Sequence, residues 1–288
     1  MTATKPRRRA APTAGRPATA RNGRVGLSWF EQGKGEPLVL IMGLGGSSRA
    51  WYRLLPLIGP DVRAIAFDNR GTGRSDGVGV RLTLDDAVGD TLSVMDAAGL
   101  DDAHVLGVSM GGMIAQHLTL RHPERVRSLI LGCTSARGRA GLPPWRLVTA
   151  AMIRQFAPGP ATDLVVPMLY AERTRRGARE RIREDLALRR TEATSQKTIL
   201  AQMAMVGGHD TRSRLGELEG LDVTVIHGLE DSLVSIARGR ELARLIPGAR
   251  LAEIEQCGHL LLTDAEDDVM AVIHGHMDRA GARGGRSK

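Results

Sequence analysis

Ala103-His104-Val105-Leu106-Gly107-Val108-Ser109-Met110-Gly111 places one serine between two glycines, where a short apolar run gives way to a helical one. Ala103 to Leu106 reads as a buried strand. Met110 to His122 reads as a helix, with Met113, Ile114, Leu118 and Leu120 among small residues. Glycine is wanted on both sides for a steric reason: the serine sits on a strained turn, and strand and helix come so close that a side chain there would collide. Such a turn lifts the hydroxyl above the sheet and aims the Met110 N–H at the place where an oxyanion would develop. With 35 glycines in the chain, the pattern needs support from its surroundings.

That support is an ordered set of partners. A serine hydroxyl is a weak nucleophile at neutral pH; it needs a base to take its proton and an acid to orient the base. On a parallel α/β sheet these follow as Ser, Asp/Glu, His, each past a strand end. Val223-Thr224-Val225-Ile226 is a β-branched run leading into His227-Gly228-Leu229-Glu230-Asp231, and Leu251 to Ile254 leads into Gln256-Cys257-Gly258-His259. Ser109, Asp231 and His259 therefore stand in the required order.

On these residues the chain resembles the α/β-hydrolase superfamily, from about Val25 to about Met277. The matching segments are Leu38 to Trp51, Phe67 to Asp76, Gly107 to Gly112, Ile226 to Val234, and Gly258-His259. The resemblance implies an α/β fold, a mostly parallel central sheet flanked by helices and carrying a helical cap insertion. It implies Ser109 as nucleophile, Asp231 as acid and His259 as general base. Met42-Gly43-Leu44-Gly45 occupies the place of the family's oxyanion loop, so the Leu44 and Met110 N–H groups are the expected oxyanion donors. That loop often reads His-Gly; Met42 here removes a polar group that usually braces it. Asp68 to Ser75 resembles the family's turn after the next strand and reads as structural.

Other residues compete for these roles. His227 lies inside a strand end, where a satisfied core histidine is the plainer reading. Glu230 is the rival acid, disfavoured by the family spacing. Cys257 and Cys133 read as small buried cysteines. Gly43-Leu44-Gly45-Gly46-Ser47-Ser48 nearly matches a dinucleotide-binding glycine loop, with Asp68 imitating the ribose-gripping acid. Ser48 stands where the third glycine belongs, Val25 to Phe30 precedes the supposed first strand, and that reading leaves Ser109, Asp231 and His259 unexplained.

The net charge of +8 comes from the ends of the chain. Lys5, Arg7, Arg8, Arg9, Arg16, Arg21 and Arg24 meet no acid in residues 1–24, and Arg279, Arg283, Arg286 and Lys288 meet only Asp278 near the C-terminus. Acids and bases nearly balance between, so no basic face for nucleic acid is expected. The expected organisation is a disordered basic tail over 1–22, a core over 23–136 and 215–279, a helical cap over 137–214, and a second tail over 280–288. No apolar run approaches the length of a membrane span, the N-terminus offers no apolar h-region for a secretory signal, and two cysteines make no disulfide framework; a cytoplasmic protein is expected, and scarce lysine beside abundant arginine suggests a GC-rich bacterial source.

Within the core the pattern predicts strands at Val25–Phe30, Leu38–Met42, Val62–Phe67, Val126–Leu131 and Val223–Ile226, with helices at Ala50–Leu57 and Leu84–Ala98. Pro143-Pro144 opens the cap, Pro158-Gly159-Pro160 divides it, and Asp210 or Thr211 caps a helix leading back to the sheet. Trp51, Trp145, Met152, Phe156 and Met203 are the candidate substrate-binding residues, as apolar or adaptable side chains near the entrance or in the cap. The arginines from Arg173 to Arg190 alternate with Glu180, Glu184 and Asp185 and read as a solvated face.

The resemblance implies a serine hydrolase for a carboxylic ester or lactone of a small, largely apolar molecule, with no metal or organic cofactor. Enol-lactonases and polyketide methylesterases look most similar in glycine loop and cap length. The same triad also serves thioesterases, C–C bond hydrolases, acyltransferases and cofactor-free haloperoxidase-like perhydrolases. Epoxide hydrolases and haloalkane dehalogenases are disfavoured, since they use aspartate where Ser109 stands. A hydrolase-fold ligand sensor is the non-enzymatic alternative.

Overall fold

The structure, a computed structural model, describes residues 17–79, 81–138, 165–192 and 194–284. Eight strands, β1 (Ala18–Asn22), β2 (Val25–Gln32), β3 (Glu36–Ile41), β4 (Val62–Phe67), β5 (Ala103–Val108), β6 (Val126–Gly132), β7 (Asp222–Gly228) and β8 (Arg250–Ile254), form one sheet. Their order is β1-β2-β4-β3-β5-β6-β7-β8. β1, β2 and β4 pair antiparallel, and every pairing from β4 through β3 to β8 is parallel.

Central strands read as nearly unbroken apolar runs because helices cover both faces. The two-residue alternation divides them. Val39, Ile41, Val105, Leu129, Leu131, Val223 and Val225 face one layer, with helices α1 (Leu84–Ala97) and α2 (Met110–Arg121). Leu38, Leu40, Leu106, Ile130 and Ile226 face the other, where Trp51, Leu54, Val269, Met270 and Ile273 pack. The remaining helices among the labelled elements are α3 (Glu172–Gly177), α4 (Arg179–Thr191), α5 (Gln196–Gly207), α6 (Ile236–Leu245), α7 (Leu261–Asp264) and α8 (Glu266–Gly284). The chain moves from β3 outward to β4, then returns to place β5 on the other side of β3. That reversal opens a crevice beyond the C-terminal ends of β3 and β5, where open α/β sheets take ligands.

Several expectations shift. Residues 1–22, expected as a tail, include β1: Ala18–Asn22 pairs along β2 and Asn22 Nδ2 donates to Asp90 Oδ1 at 2.8 Å. A five-residue strand with one fully buried residue, Ala20, gains its stability from that partner and carries little pattern of its own. At the other end α8 continues beyond 279 to Gly284. In place of a helix at Ala50–Leu57 there is a 3₁₀ helix at Ser48–Arg53, followed by turns in which the Leu55 N–H donates to Trp51 O and the Leu57 N–H to Leu54 O. Thr211 starts no helix: its hydroxyl donates to Gln116 Oε1 at 2.7 Å, and the chain returns through a 3₁₀ turn at Leu215–Leu218. There the two ends of the insertion meet, the Gly138 N–H donating to His209 O and the Thr211 N–H to Ala136 O. Pro143, Pro144 and the Pro158-Gly159-Pro160 break lie outside the described residues. Among those described, no helix is long and apolar enough to cross a membrane.

Candidate active site

Ser109 follows β5 with φ +53°, in the left-handed region that only a tightly held side chain occupies. Its N–H donates to Gly132 O at 2.8 Å, and its carbonyl accepts the Thr134 hydroxyl at 2.7 Å. The flanking glycines are required by close approach: a Cβ on Gly107 would strike the Gly111 carbonyl, and one on Gly111 the Ile41 carbonyl. The glycine loop lies against the serine, since a Cβ on Gly43 would stand 3.1 Å from Ser109 Cβ. Asn69 Nδ2 donates to Met42 O at 2.9 Å and so anchors the loop's start. Asp68 is consumed structurally, accepting the Ser48 N–H and hydroxyl, both at 2.7 Å, and the Arg74 N–H at 2.9 Å. The acid that a dinucleotide site would need is therefore tied into its own loop.

Asp231 and His259 meet across the ends of β7 and β8. His259 Nδ1–H donates to Asp231 Oδ2 at 2.7 Å, while Asp231 Oδ1 accepts the Leu233 and Val234 N–H groups at 2.9 and 2.8 Å. Burial alone would raise the Asp231 pKa; the His259 charge, the nearby His227 and the hydrogen bonds from His259 and the Val234 N–H outweigh it and hold the carboxyl well below the usual range. His227, fully buried, donates from Nε2 to Val234 O at 2.7 Å and stands 3.5 Å from Asp231 Oδ2. It braces the acid loop from within the core.

Glu230 points elsewhere, accepting the Glu172 N–H at 2.7 Å. Cys133, Asp231 and His259 each offer a donor atom, all within 4.8 Å of one another. Burial pushes the Cys133 thiol well up, and Asp231 Oδ2 and His259 Nδ1 are already hydrogen-bonded to each other. Cys257 is buried and its thiol is likewise pushed up, first by burial.

Asp264 has a part that the sequence did not single out. Its Oδ2 accepts the Gly258 N–H at 2.7 Å and the Ala171 N–H at 2.9 Å, tying the histidine loop to the start of α3. One acid among several between 264 and 268 carries no local signal of that task.

Beside His259 lies a cavity of about 120 Å³, lined among others by Met42, Trp51, Leu54, Leu188 and Leu260. Trp51 thus borders the site, although it is only 2% exposed. Met203 is half-buried on α5 and is not among the residues lining this cavity. Trp145, Met152 and Phe156 lie outside the described residues. The charged stretch before Arg190 is not wholly solvated: Asp185 is buried and accepts Tyr52 Oη at 2.5 Å and the Thr263 hydroxyl at 2.7 Å. These bonds dock α4 onto the core beside the cavity.

The family description "alpha/beta hydrolase fold" matches residues 36–266. A pimeloyl-[acyl-carrier protein] methyl ester esterase of Aromatoleum aromaticum is 30% identical over 82% of this chain and 96% of its own length. A 2-hydroxy-6-oxo-6-phenylhexa-2,4-dienoate hydrolase of Comamonas testosteroni is 28% identical over 84% of this chain and 87% of its own. The enol-lactonase of Burkholderia xenovorans LB400 superposes with a TM-score of 0.78 at 24% identity, over 91% of this chain and 100% of that one, and shares its fold. The eight-stranded sheet, the match along most of the chain and the relatives agree: the chain belongs to the α/β-hydrolase family and is a hydrolase of that class.

Proposed function

We propose that the protein is a serine hydrolase that cleaves a carboxylic ester or lactone of a small, largely apolar molecule through an acyl-enzyme. The observation that carries this reading is the buried Asp231–His259 hydrogen bond of 2.7 Å, in a site whose serine stands at φ +53° against the glycine loop. Ser109 Oγ attacks the carbonyl carbon and gives its proton to His259 Nε2. Asp231 keeps the opposite nitrogen protonated and stabilises the imidazolium. The Leu44 and Met110 N–H groups receive the tetrahedral oxyanion. His259 passes its proton to the departing alcohol oxygen, then takes one from water, which attacks the acyl carbon, and gives it to Ser109 Oγ as the carboxylic acid leaves.

The apolar lining beside His259 supports an apolar acyl or alcohol group, and the esterase among the relatives supports the ester. The C–C bond hydrolase among them keeps that chemistry as the second reading. A fluorophosphonate probe tests the nucleophile: it labels the wild-type protein and leaves Ser109→Ala unlabelled and inactive. A screen of p-nitrophenyl esters, lactones, acyl thioesters and vinylogous diketones then separates the bond types. Single-turnover behaviour on all of them would favour a ligand sensor.

A further inference from the structure

The glycine loop Gly43-Leu44-Gly45-Gly46 has no polar side chain, and three of its four residues are glycine. Such a segment has much conformational freedom to lose, so its shape depends on bonds supplied by its own backbone and by other elements. Internally the Gly46 N–H donates to Gly43 O at 3.1 Å, closing a turn in which Gly45 has φ +69° and Leu44 has no positive φ, as in a type II turn. Met42 before it carries a thioether side chain, which has no N–H to offer.

The remaining hold on the turn comes from far along the chain. The Gly45 N–H donates to Gln202 Oε1 at 2.8 Å, and the Thr194 hydroxyl donates to Gly45 O at 2.9 Å. Both groups of one residue are thus taken by the cap, and a Cβ on Gly45 would stand 2.6 Å from Ile199 Cδ1. α5 is built to present these groups. Ser195 caps it by accepting the Thr198 N–H, and the buried Thr198, Gln202 and Met205 follow at helical spacing along its inner face.

Gln202 is a costly residue for mere packing. It is 1% exposed, and with Oε1 turned to Gly45 its Nε2 finds no partner among the described residues. A buried donor left unmet disfavours the fold, and an apolar side chain of similar size would avoid that cost. Its place is explained by what Oε1 holds.

We infer that α5 of the cap holds the oxyanion loop in its working shape through Gln202 and Thr194, which makes them positioning residues for catalysis. This rests on the reading of Ser109 as nucleophile and the Leu44 N–H as oxyanion donor. Gln202 acts through the Gly45 N–H one residue beyond that donor, and Thr194 through the Gly45 carbonyl. The cap therefore supports the chemistry as well as covering it.

The test uses the full chain and p-nitrophenyl butyrate. Gln202→Met keeps the volume and removes the acceptor. A lost oxyanion donor costs about 10²–10³ in kcat, so a donor merely loosened should cost about tenfold. The expected result is that kcat loss with KM within about twofold and a Tm close to that of the wild type, since the Gly45 N–H loses its acceptor while an Nε2 with no partner among the described residues is removed. Thr194→Val should lower kcat in the same way, and Thr194→Ser, which keeps the hydroxyl, should recover most of it. Wild-type kcat in both Gln202→Met and Thr194→Val overturns the inference. So does a kcat loss that tracks a falling Tm and that Thr194→Ser fails to restore, which is the mark of general loosening. Ser109→Ala is measured alongside: turnover surviving there overturns the underlying nucleophile reading, whatever the cap variants do.

Discussion

Glu230 and Asp231 are consecutive carboxylates that serve different parts of the molecule: Glu230 Oε2 receives the Glu172 N–H, and Asp231 Oδ2 receives His259 Nδ1, each at 2.7 Å. Asp231→Asn should therefore lower kcat by a factor on the scale of about 10⁴, because an amide no longer selects the required imidazole tautomer. Glu230→Gln keeps an acceptor for the Glu172 N–H and should cost little. Steady-state kinetics on one ester, with melting curves for both variants, checks this. The reverse ranking would transfer the acid's role to Glu230.

Stability should fall on mild acidification. Burial pushes His117, His209 and His276 each down to about 4, while an unfolded histidine titrates near about 6.5. His209 Nε2–H donates to Ser135 O, and its Nδ1 lies 3.1 Å from His117 Nε2. His276 contacts Thr224 and Ser128. Between those two pH values the unfolded chain binds more protons than the native one, so stability drops as pH falls from about 6.5 towards 4 and is level just above. Urea midpoints across that range check it. His276→Gln should lower stability near neutrality and make the acid slope shallower.

The N-terminal boundary gives a sharp pair of truncations. Removing residues 1–16 takes away five basic residues and no acid, with few apolar groups, and should leave activity and Tm nearly unchanged. Removing 1–22 also strips β1, uncovers the edge of β2 and deletes the Asn22–Asp90 hydrogen bond. That longer deletion should lower Tm by several degrees. Equal melting temperatures for the two would show that β1 contributes nothing.

Leu188 tests the cavity beside His259. It projects from α4 into the lining and is half-buried, so Leu188→Phe narrows the space without emptying the core. A hydrophobic pocket discriminates by about 1–3 kcal/mol per methylene. The variant should lose kcat/KM on long acyl esters and keep it on the acetate. An unchanged chain-length profile would move the acyl pocket elsewhere in the cap. Trp51→Ala is a poorer probe, because a fully buried tryptophan costs about 3–5 kcal/mol to truncate.

Much of the fold and of the candidate site could be read from local pattern. β3 to β7 announce themselves as apolar runs because both their faces are covered. Gly107 and Gly111 mark the serine turn because backbone from β3 and α2 leaves no room for a Cβ. β1 was illegible, since Ala18–Asn22 has one fully buried residue and depends on β2 for its hydrogen bonds. Asp185 read as part of a solvated charged face, and it became buried because Tyr52, Arg53 and Thr263, distant in sequence, converge on it.

Order along the chain determined the family, the sheet and the candidates Ser109, Asp231 and His259, because strand periodicity and glycine spacing are local consequences of backbone geometry and sterics. Tertiary structure alone decided that Asp264 anchors the Gly258 N–H and that Gln202 and Thr194 grip Gly45 from 157 and 149 residues away. Hydrogen bonds between distant elements depend on how the cap is set on the sheet, and no short-range pattern encodes that placement.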